Sequence, residues 1–71
     1  MKRLTYEEVV SIKGWNFFEV AEKLSDGWNR RGEQEKYYFD ENYKTADWRL
    51  VDKKTNKEVY SYYTDFYNGI N

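Results

Sequence analysis

The sequence contains no cysteine, no histidine and no proline, and each absence excludes something. Without cysteine there are no disulfides or thiolate metal sites to stabilise a small fold. Without histidine as well, neither the common structural zinc sites nor Ser-His-Asp and Cys-His catalytic arrangements can form. Without proline, no rigid residue marks a domain boundary. At 71 residues we expect a single domain, 1–71, that is not an enzyme and takes no cofactor.

The chain also lacks an excess of either charge, because 12 Lys and Arg nearly balance 13 Asp and Glu, for a net charge of −1. A general nucleic-acid binder needs a clustered positive field, so nucleic acid is the less favoured partner. No apolar run approaches the roughly 18 residues of a membrane span, and no signal peptide opens the chain. The sequence therefore predicts a cytoplasmic protein without membrane association.

Aromatic residues, in contrast, make up 21% of the chain. Each can bury about 150–250 Å², so together they exceed what so small a core can enclose. We expect some of them at the surface, where tyrosine and tryptophan favour contact with partner proteins. The alternative is that tyrosines lie half-buried in a small sheet with their hydroxyls in water.

Two runs rich in aromatic and β-branched residues, 47–52 and 58–63, predict a β-hairpin. Asn56 can end a three-residue loop, 54–56, in the left-handed conformation. The resulting pairs are Val51 with Val59, Leu50 with Tyr60, and Trp48 with Tyr62. This register also sets Lys53 against Lys57 and Asp52 against Glu58, which is unfavourable. A four-residue loop would remove these like-charge pairs but would scatter the aromatic residues, so the three-residue loop is preferred.

Two helices are predicted before the hairpin. Thr5 begins the first, Glu8 completes a capping box, and Gly14 ends it. Asn16 begins the second, whose apolar residues recur at helical spacing. These residues are Phe17, Val20, Ala21, Leu24 and Trp28. Ser25-Asp26-Gly27 can end this helix near Leu24, but we expect it to continue to about Arg30.

A short strand over 36–40 completes the predicted fold, an α+β arrangement of two N-terminal helices packed on a three-stranded antiparallel meander (α-α-β-β-β). The central strand contains Trp48, which we expect to be buried beneath the helices with Leu50, Tyr60 and Tyr62. Residues 64–71 are interpreted as a helical turn or an extended tail packed on the sheet.

The opposite face of this sheet is the expected partner-binding surface, because an aromatic patch ringed by charge is typical of protein–protein hot spots. The expected contact residues are Arg49, Val51, Val59, Tyr63, Tyr38 and Tyr43. A partner protein, or a second copy of the chain in a homodimer, would cover them. The predicted function is a protein-binding module that occupies a partner's surface.

The sequence leaves two other functions open. The alternative is a small winged-helix-like DNA-binding regulator with the hairpin tip, 53–57, as its wing and phosphate contacts from Lys53, Lys54 and Lys57. A catalytic or Mg²⁺ site would have to use acidic residues near the predicted turns, and their spacing matches no known loop. Those residues are Asp40, Glu41, Asp47 and Asp52.

The segment Asp47-Trp48-Arg49-Leu50-Val51 resembles the Asp-Trp-x-x-Val strand near the C-terminus of some small phage-encoded proteins. The resemblance covers five residues and implies no site residue. Together with the small size and the many tyrosines and asparagines, it suggests a phage or mobile-element accessory protein, acting as an inhibitor or adaptor.

Overall fold

The computed structural model describes residues 3–63. One short helix, α1 (Tyr6–Ser11), precedes five strands. The strands are β1 (Asn16–Lys23), β2 (Trp28–Glu33), β3 (Tyr37–Asn42), β4 (Trp48–Asp52) and β5 (Glu58–Tyr62). They form one antiparallel sheet in the order β1-β2-β3-β4-β5. The described chain is therefore mostly β, and the predicted arrangement of two helices on a three-stranded meander is wrong.

The first predicted helix is present and begins as expected. Thr5 Oγ1 accepts a hydrogen bond from the Glu8 N–H at 3.1 Å, and Glu8 Oε1 accepts one from the Thr5 N–H at 2.8 Å. This is the predicted capping box. The helix ends at Ser11, earlier than Gly14, and none of its residues is buried. Because so short a helix is marginal in water, local capping rather than packing is what stabilises it.

Strands β1 and β2 replace the second predicted helix. Asp26 and Gly27 lie between them with φ of 59° and 87°. Two consecutive left-handed residues cannot continue a right-handed helix, so the chain reverses here. The Leu24 N–H then donates to the Trp28 carbonyl at 2.8 Å and closes the hairpin. The residues that share a helical stripe in the sequence are consequently divided among β1, the turn at Leu24 and β2, and Val20 is 85% exposed.

The predicted hairpin between β4 and β5 is present. Trp48 pairs with Tyr62 and Leu50 with Tyr60, as the sequence predicted. Asn56 has a φ of 58°, which confirms it as the left-handed residue of the loop. The central strand of the sheet, however, is β3 rather than the strand that contains Trp48.

The loop of this hairpin differs from the predicted one. The Asp52 N–H donates to the Lys57 carbonyl at 2.9 Å, so four residues rather than three lie between them. Further along, the register shifts, and Val51 pairs with Glu58 instead of Val59. A bulge adds one residue to one strand, and that residue restores the aromatic pairs beyond it. A four-residue loop and the aromatic pairs exclude each other only when the strands pair without a bulge. With the bulge, both are present.

Apart from Gly32 in β2, the buried residues of the described chain lie in β3, β4 and β5. They are Leu50, Val51, Val59, Asp40 and Asn42. Trp48, expected to be buried, is only partly so. Asn42 joins the turns at one end of the sheet, because its Nδ2 donates to the Asp26 carbonyl at 3.1 Å and its Oδ1 accepts from the Lys44 N–H at 2.9 Å.

An N-terminal arm, residues 3–5, lies along the outer side of β5. The Leu4 N–H donates to the Val59 carbonyl at 2.9 Å. Arg3 donates to the side chains of Glu58 and Ser61, each at 3.1 Å. Since β1 begins at Asn16, the chain between the arm and β1 spans the sheet from one edge to the other.

The interpretation of 64–71 lies outside the described residues. Within residues 3–63, no helix is long and apolar enough to cross a membrane.

Candidate partner-binding surface

Six aromatic side chains form a continuous row across one face of the sheet, with neighbouring ring centroids 5.6 to 6.2 Å apart. The members of this aromatic row are Trp15, Phe17, Phe39, Trp48, Tyr60 and Tyr62. Alternation along each strand and the observed register bring them to the same side. Aromatic pairs at such distances stabilise each other beyond simple area burial.

A glycine in β2 makes the row continuous. Gly32 pairs with Phe17 on one side and with Phe39 on the other. A Cβ at this glycine would stand 2.7 Å from Phe17 Cδ1, so any side chain would displace the ring. A glycine in a strand interior often marks such a close approach. Here it lets the rings of β1 and β3 meet edge to face across β2.

The aromatic row is open to solvent. Phe17 is 61% exposed and Tyr62 38%, and the other four rings are partly exposed. A charged pair, Arg31 Nε with Glu41 Oε1 at 3.5 Å, lies beside them. An apolar surface with a polar rim is the usual composition of a protein–protein contact.

The opposite face carries an arginine cluster around a buried carboxylate. Asp40 is 0% exposed, and its Oδ1 accepts from Arg30 Nε at 2.9 Å. Its Oδ2 accepts from Arg30 Nη2 at 3.2 Å and from Arg49 Nε at 3.1 Å. The three residues are adjacent because both arginines pair with Asp40 across neighbouring strands. A buried carboxylate requires such charged partners.

Aromatic rings hold both guanidinium groups in place. Arg30 Cζ lies 3.8 Å from the centroid of the Tyr38 ring, and Arg49 Cζ lies 4.1 Å from that of Trp28. Burial acts to lower the pKa of Arg30, but the hydrogen bond and negative charge of Asp40 outweigh it, and the pKa lies above its ordinary value. The cluster is thus a fixed, charged part of the fold.

The structure places the six expected contact residues in different environments. Arg49 and Tyr38 belong to the arginine cluster. Val51 is 5% exposed and Val59 3%, so the expectation of an exposed apolar strip is wrong for both valines. The N-terminal arm lies against Val59, since the Leu4 N–H donates to the Val59 carbonyl.

The two remaining expected residues are exposed tyrosines. Tyr43 is 71% exposed in the loop between β3 and β4, where its N–H donates to the Gly27 carbonyl at 3.0 Å. Tyr63 directly follows β5. The six residues do not form one surface, and a role for any of them in binding stays a prediction.

The hairpin lysines are not equivalent. Lys53 Nζ bonds to Glu33 Oε1 at 2.7 Å and lies 5.1 Å from the centroid of the Tyr38 ring, so it is directed back over the sheet. Lys54 and Lys57 are exposed. A winged-helix protein also needs a recognition helix, and the second predicted helix, which would have served as one, is replaced by β1 and β2.

The acidic residues proposed for a metal or catalytic site are dispersed. Asp40 is engaged by two arginines, and Asp52 Oδ1 accepts the N–H groups of Lys54 and Thr55 in the hairpin loop. Among residues 3–63, no group of three or more histidine, cysteine or acidic side chains is arranged to hold a metal ion.

Sequence reasoning missed the half of the aromatic row that precedes β4. It correctly put Trp48, Tyr60 and Tyr62 on one face but covered that face with helices. Phe17 was assigned to the second helix, although aromatic residues are also enriched in strands. Comparison with protein-family models, with curated proteins and with solved structures gives no match to this chain.

Proposed function

We propose that this chain is a non-enzymatic protein-binding module that occupies a partner's surface, as an inhibitor or adaptor in the cytoplasm. The observation that supports the proposal is the open aromatic row on one face of the sheet. Tyrosine and tryptophan are the residue types that contribute most to protein–protein contacts when they become fully desolvated. The row offers both types in a fixed arrangement.

The contact residues proposed from the structure differ from those expected from the sequence. Phe17, Trp48 and Tyr62 are on the open face, whereas Arg49 is turned into the arginine cluster. A protein partner fits this face better than single-stranded nucleic acid does. Nucleic acid needs a positive groove beside its stacking platform, and the flanking Arg31–Glu41 pair is neutral.

The test is capture of partners from the native host by the wild-type chain and by surface variants, followed by mass spectrometry. Phe17→Ala and Tyr62→Ala remove two exposed rings of the row. Tyr43→Ala is the matched control, because it removes a ring that is more exposed than either of these from a loop outside the row. Each variant is first shown to melt as the wild type does.

We expect proteins that bind the wild type and Tyr43→Ala to be lost with both row variants. Removing a well-packed aromatic anchor weakens binding by about 2 kcal/mol or more, which is about thirtyfold. Partners that are retained by both row variants and lost only with Tyr43→Ala would contradict the proposal. Retention by every variant would contradict it equally.

A further inference from the structure

The two edges of the sheet differ in whether another segment of the described chain bonds to them. Along β5, the Leu4 N–H bonds to the Val59 carbonyl, and Arg3 reaches two side chains of the same strand. At the other edge, β2 is the only hydrogen-bonded neighbour of β1 within residues 3–63. An uncovered edge strand presents backbone N–H and C=O groups that can pair with another strand.

The pairing of β1 with β2 is also irregular. Between the pairs Phe17–Gly32 and Glu22–Arg30, four residues of β1 lie opposite one residue of β2, Arg31. Irregular pairing often blunts an edge, but Val20 in this stretch is 85% exposed and apolar. The stretch 18–21 therefore has both backbone groups and apolar surface to offer.

The sequence of β1 is self-complementary when the strand pairs antiparallel with its own copy. With Ala21 at the centre, Glu19 lies opposite Lys23 of the second copy, and Lys23 lies opposite its Glu19. Leu24, which directly follows β1, faces Phe18 in the same way, and Val20 faces Glu22. Opposite charges and apolar side chains directly across from each other stabilise an antiparallel pair.

Neighbouring registers are poorer. Centred on Glu19, the pairing sets that carboxylate directly against itself, which is destabilising. Centred on Val20, it sets Phe18 against Glu22 and Phe17 against Lys23, without an ion pair. A register centred between two residues would turn one copy over, so that its aromatic face lay on the opposite side of the joined sheet. Charge complementarity thus selects the register centred on Ala21.

We propose that two copies of this chain associate through β1, antiparallel about Ala21, into one continuous sheet with five strands from each copy. The twofold axis is perpendicular to this sheet, so both aromatic rows lie on the same side. The proposal is independent of the protein-binding function, because it uses the edge of the sheet rather than its face.

The test is sedimentation of the full chain over a protein concentration series of roughly 1 μM to 1 mM, the range in which a weak dimer dissociates. Glu19→Lys sets lysine against Lys23 in both symmetry-related contacts, and Lys23→Glu sets glutamate against Glu19. Each variant alone should dimerise at least about tenfold more weakly than the wild type. An equimolar mixture of the two should associate again, because each contact then joins opposite charges.

Glu7→Lys makes the same change of charge on α1, away from the edge, and should dimerise as the wild type does. Thermal melting of every variant shows that the fold is intact. The proposal is overturned if the wild type stays monomeric throughout the series, or if the mixture fails to associate. It is overturned equally if Tyr62→Ala abolishes the dimer while Glu19→Lys leaves it unchanged, since the contact would then be the aromatic row.

Discussion

The two faces of the sheet distribute polar and apolar residues in an unexpected way. On one face a carboxylate is completely buried between two arginines, and on the other Phe17 is 61% exposed. Charge is therefore placed where it holds strands together, and aromatic surface is placed where solvent reaches it. The comparison teaches that residue type alone does not identify a binding surface. Arg49 and Tyr38 are of residue types that are enriched in binding hot spots, yet both make contacts within the sheet itself.

Removing the charge of Asp40 should have the largest effect on the fold. Asp40→Asn keeps the shape of the side chain but leaves Arg30 and Arg49 without their shared counter-charge. We expect it to lower the free energy of unfolding by about 3–5 kcal/mol, the usual result of breaking a buried ion pair. Urea denaturation measures this. Glu41→Gln, which breaks the exposed pair with Arg31, is the control and should change stability by less than about 1 kcal/mol.

Trp48→Ala tests the aromatic face at its centre. The indole contacts Phe39, Tyr60 and Tyr62, so truncation should cost about 3 kcal/mol. If this variant kept the native melting profile, the row would contribute to binding only and not to the fold.

Gly32→Ala should disturb the aromatic row without unfolding the sheet. The new methyl group would clash with Phe17 Cδ1, and the exposed ring must move away. Overpacking of this kind costs about 1–3 kcal/mol, and we expect the lower end because the ring is free to rotate outward. NMR shifts of Phe39, which contacts the displaced ring, report the change. Unchanged shifts there would contradict the described packing.

Trp28→Leu should have the smallest effect. It removes the ring beneath Arg49 and leaves the bond from that arginine to Asp40 in place. The loss of a cation–π contact costs about 0.5–1 kcal/mol at a partly exposed site. An effect as large as that of Asp40→Asn would show that the stacking ring, and not the carboxylate, fixes the arginine.

The parts of the fold that the sequence predicted are those determined by local signals. The capping box needs only Thr5 and Glu8, and the β4–β5 hairpin follows from two aromatic runs beside Asn56. The alternation of side chains did not predict the bulge, because a bulge interrupts that alternation. It is the extra residue of the bulge that allows a four-residue loop together with the aromatic pairs. Both candidate loops fitted part of the pattern.

The second helix was predicted wrongly because β1 carries little alternation. As an edge strand it is exposed on most positions, so burial on one face does not impose a period of two on its sequence. The helical spacing from Phe17 to Trp28 was therefore the stronger pattern. The decisive signal was Asp26-Gly27, whose left-handed backbone ends any helix.

The candidate surface depended on tertiary register, which local patterns do not provide. Asp40 meets Arg30 and Arg49 only because β3 lies between β2 and β4. Assigning 28–30 to a helix removed one of these partners from the sheet. The remaining arginine, Arg49, was therefore assigned to the exposed contact surface, although it donates to Asp40.

The bond between Leu4 and Val59 has a consequence for how the chain folds as it is synthesised. Every hairpin joins strands that follow each other, so each can form soon after its second strand emerges from the ribosome. Leu4 can bond to Val59 only after the ribosome has added 55 more residues. At cellular translation rates this synthesis takes roughly 3–11 s. During that interval the arm is exposed beside a growing sheet. The arm, although synthesised before the strands, is thus among the last parts of the described chain to reach its place.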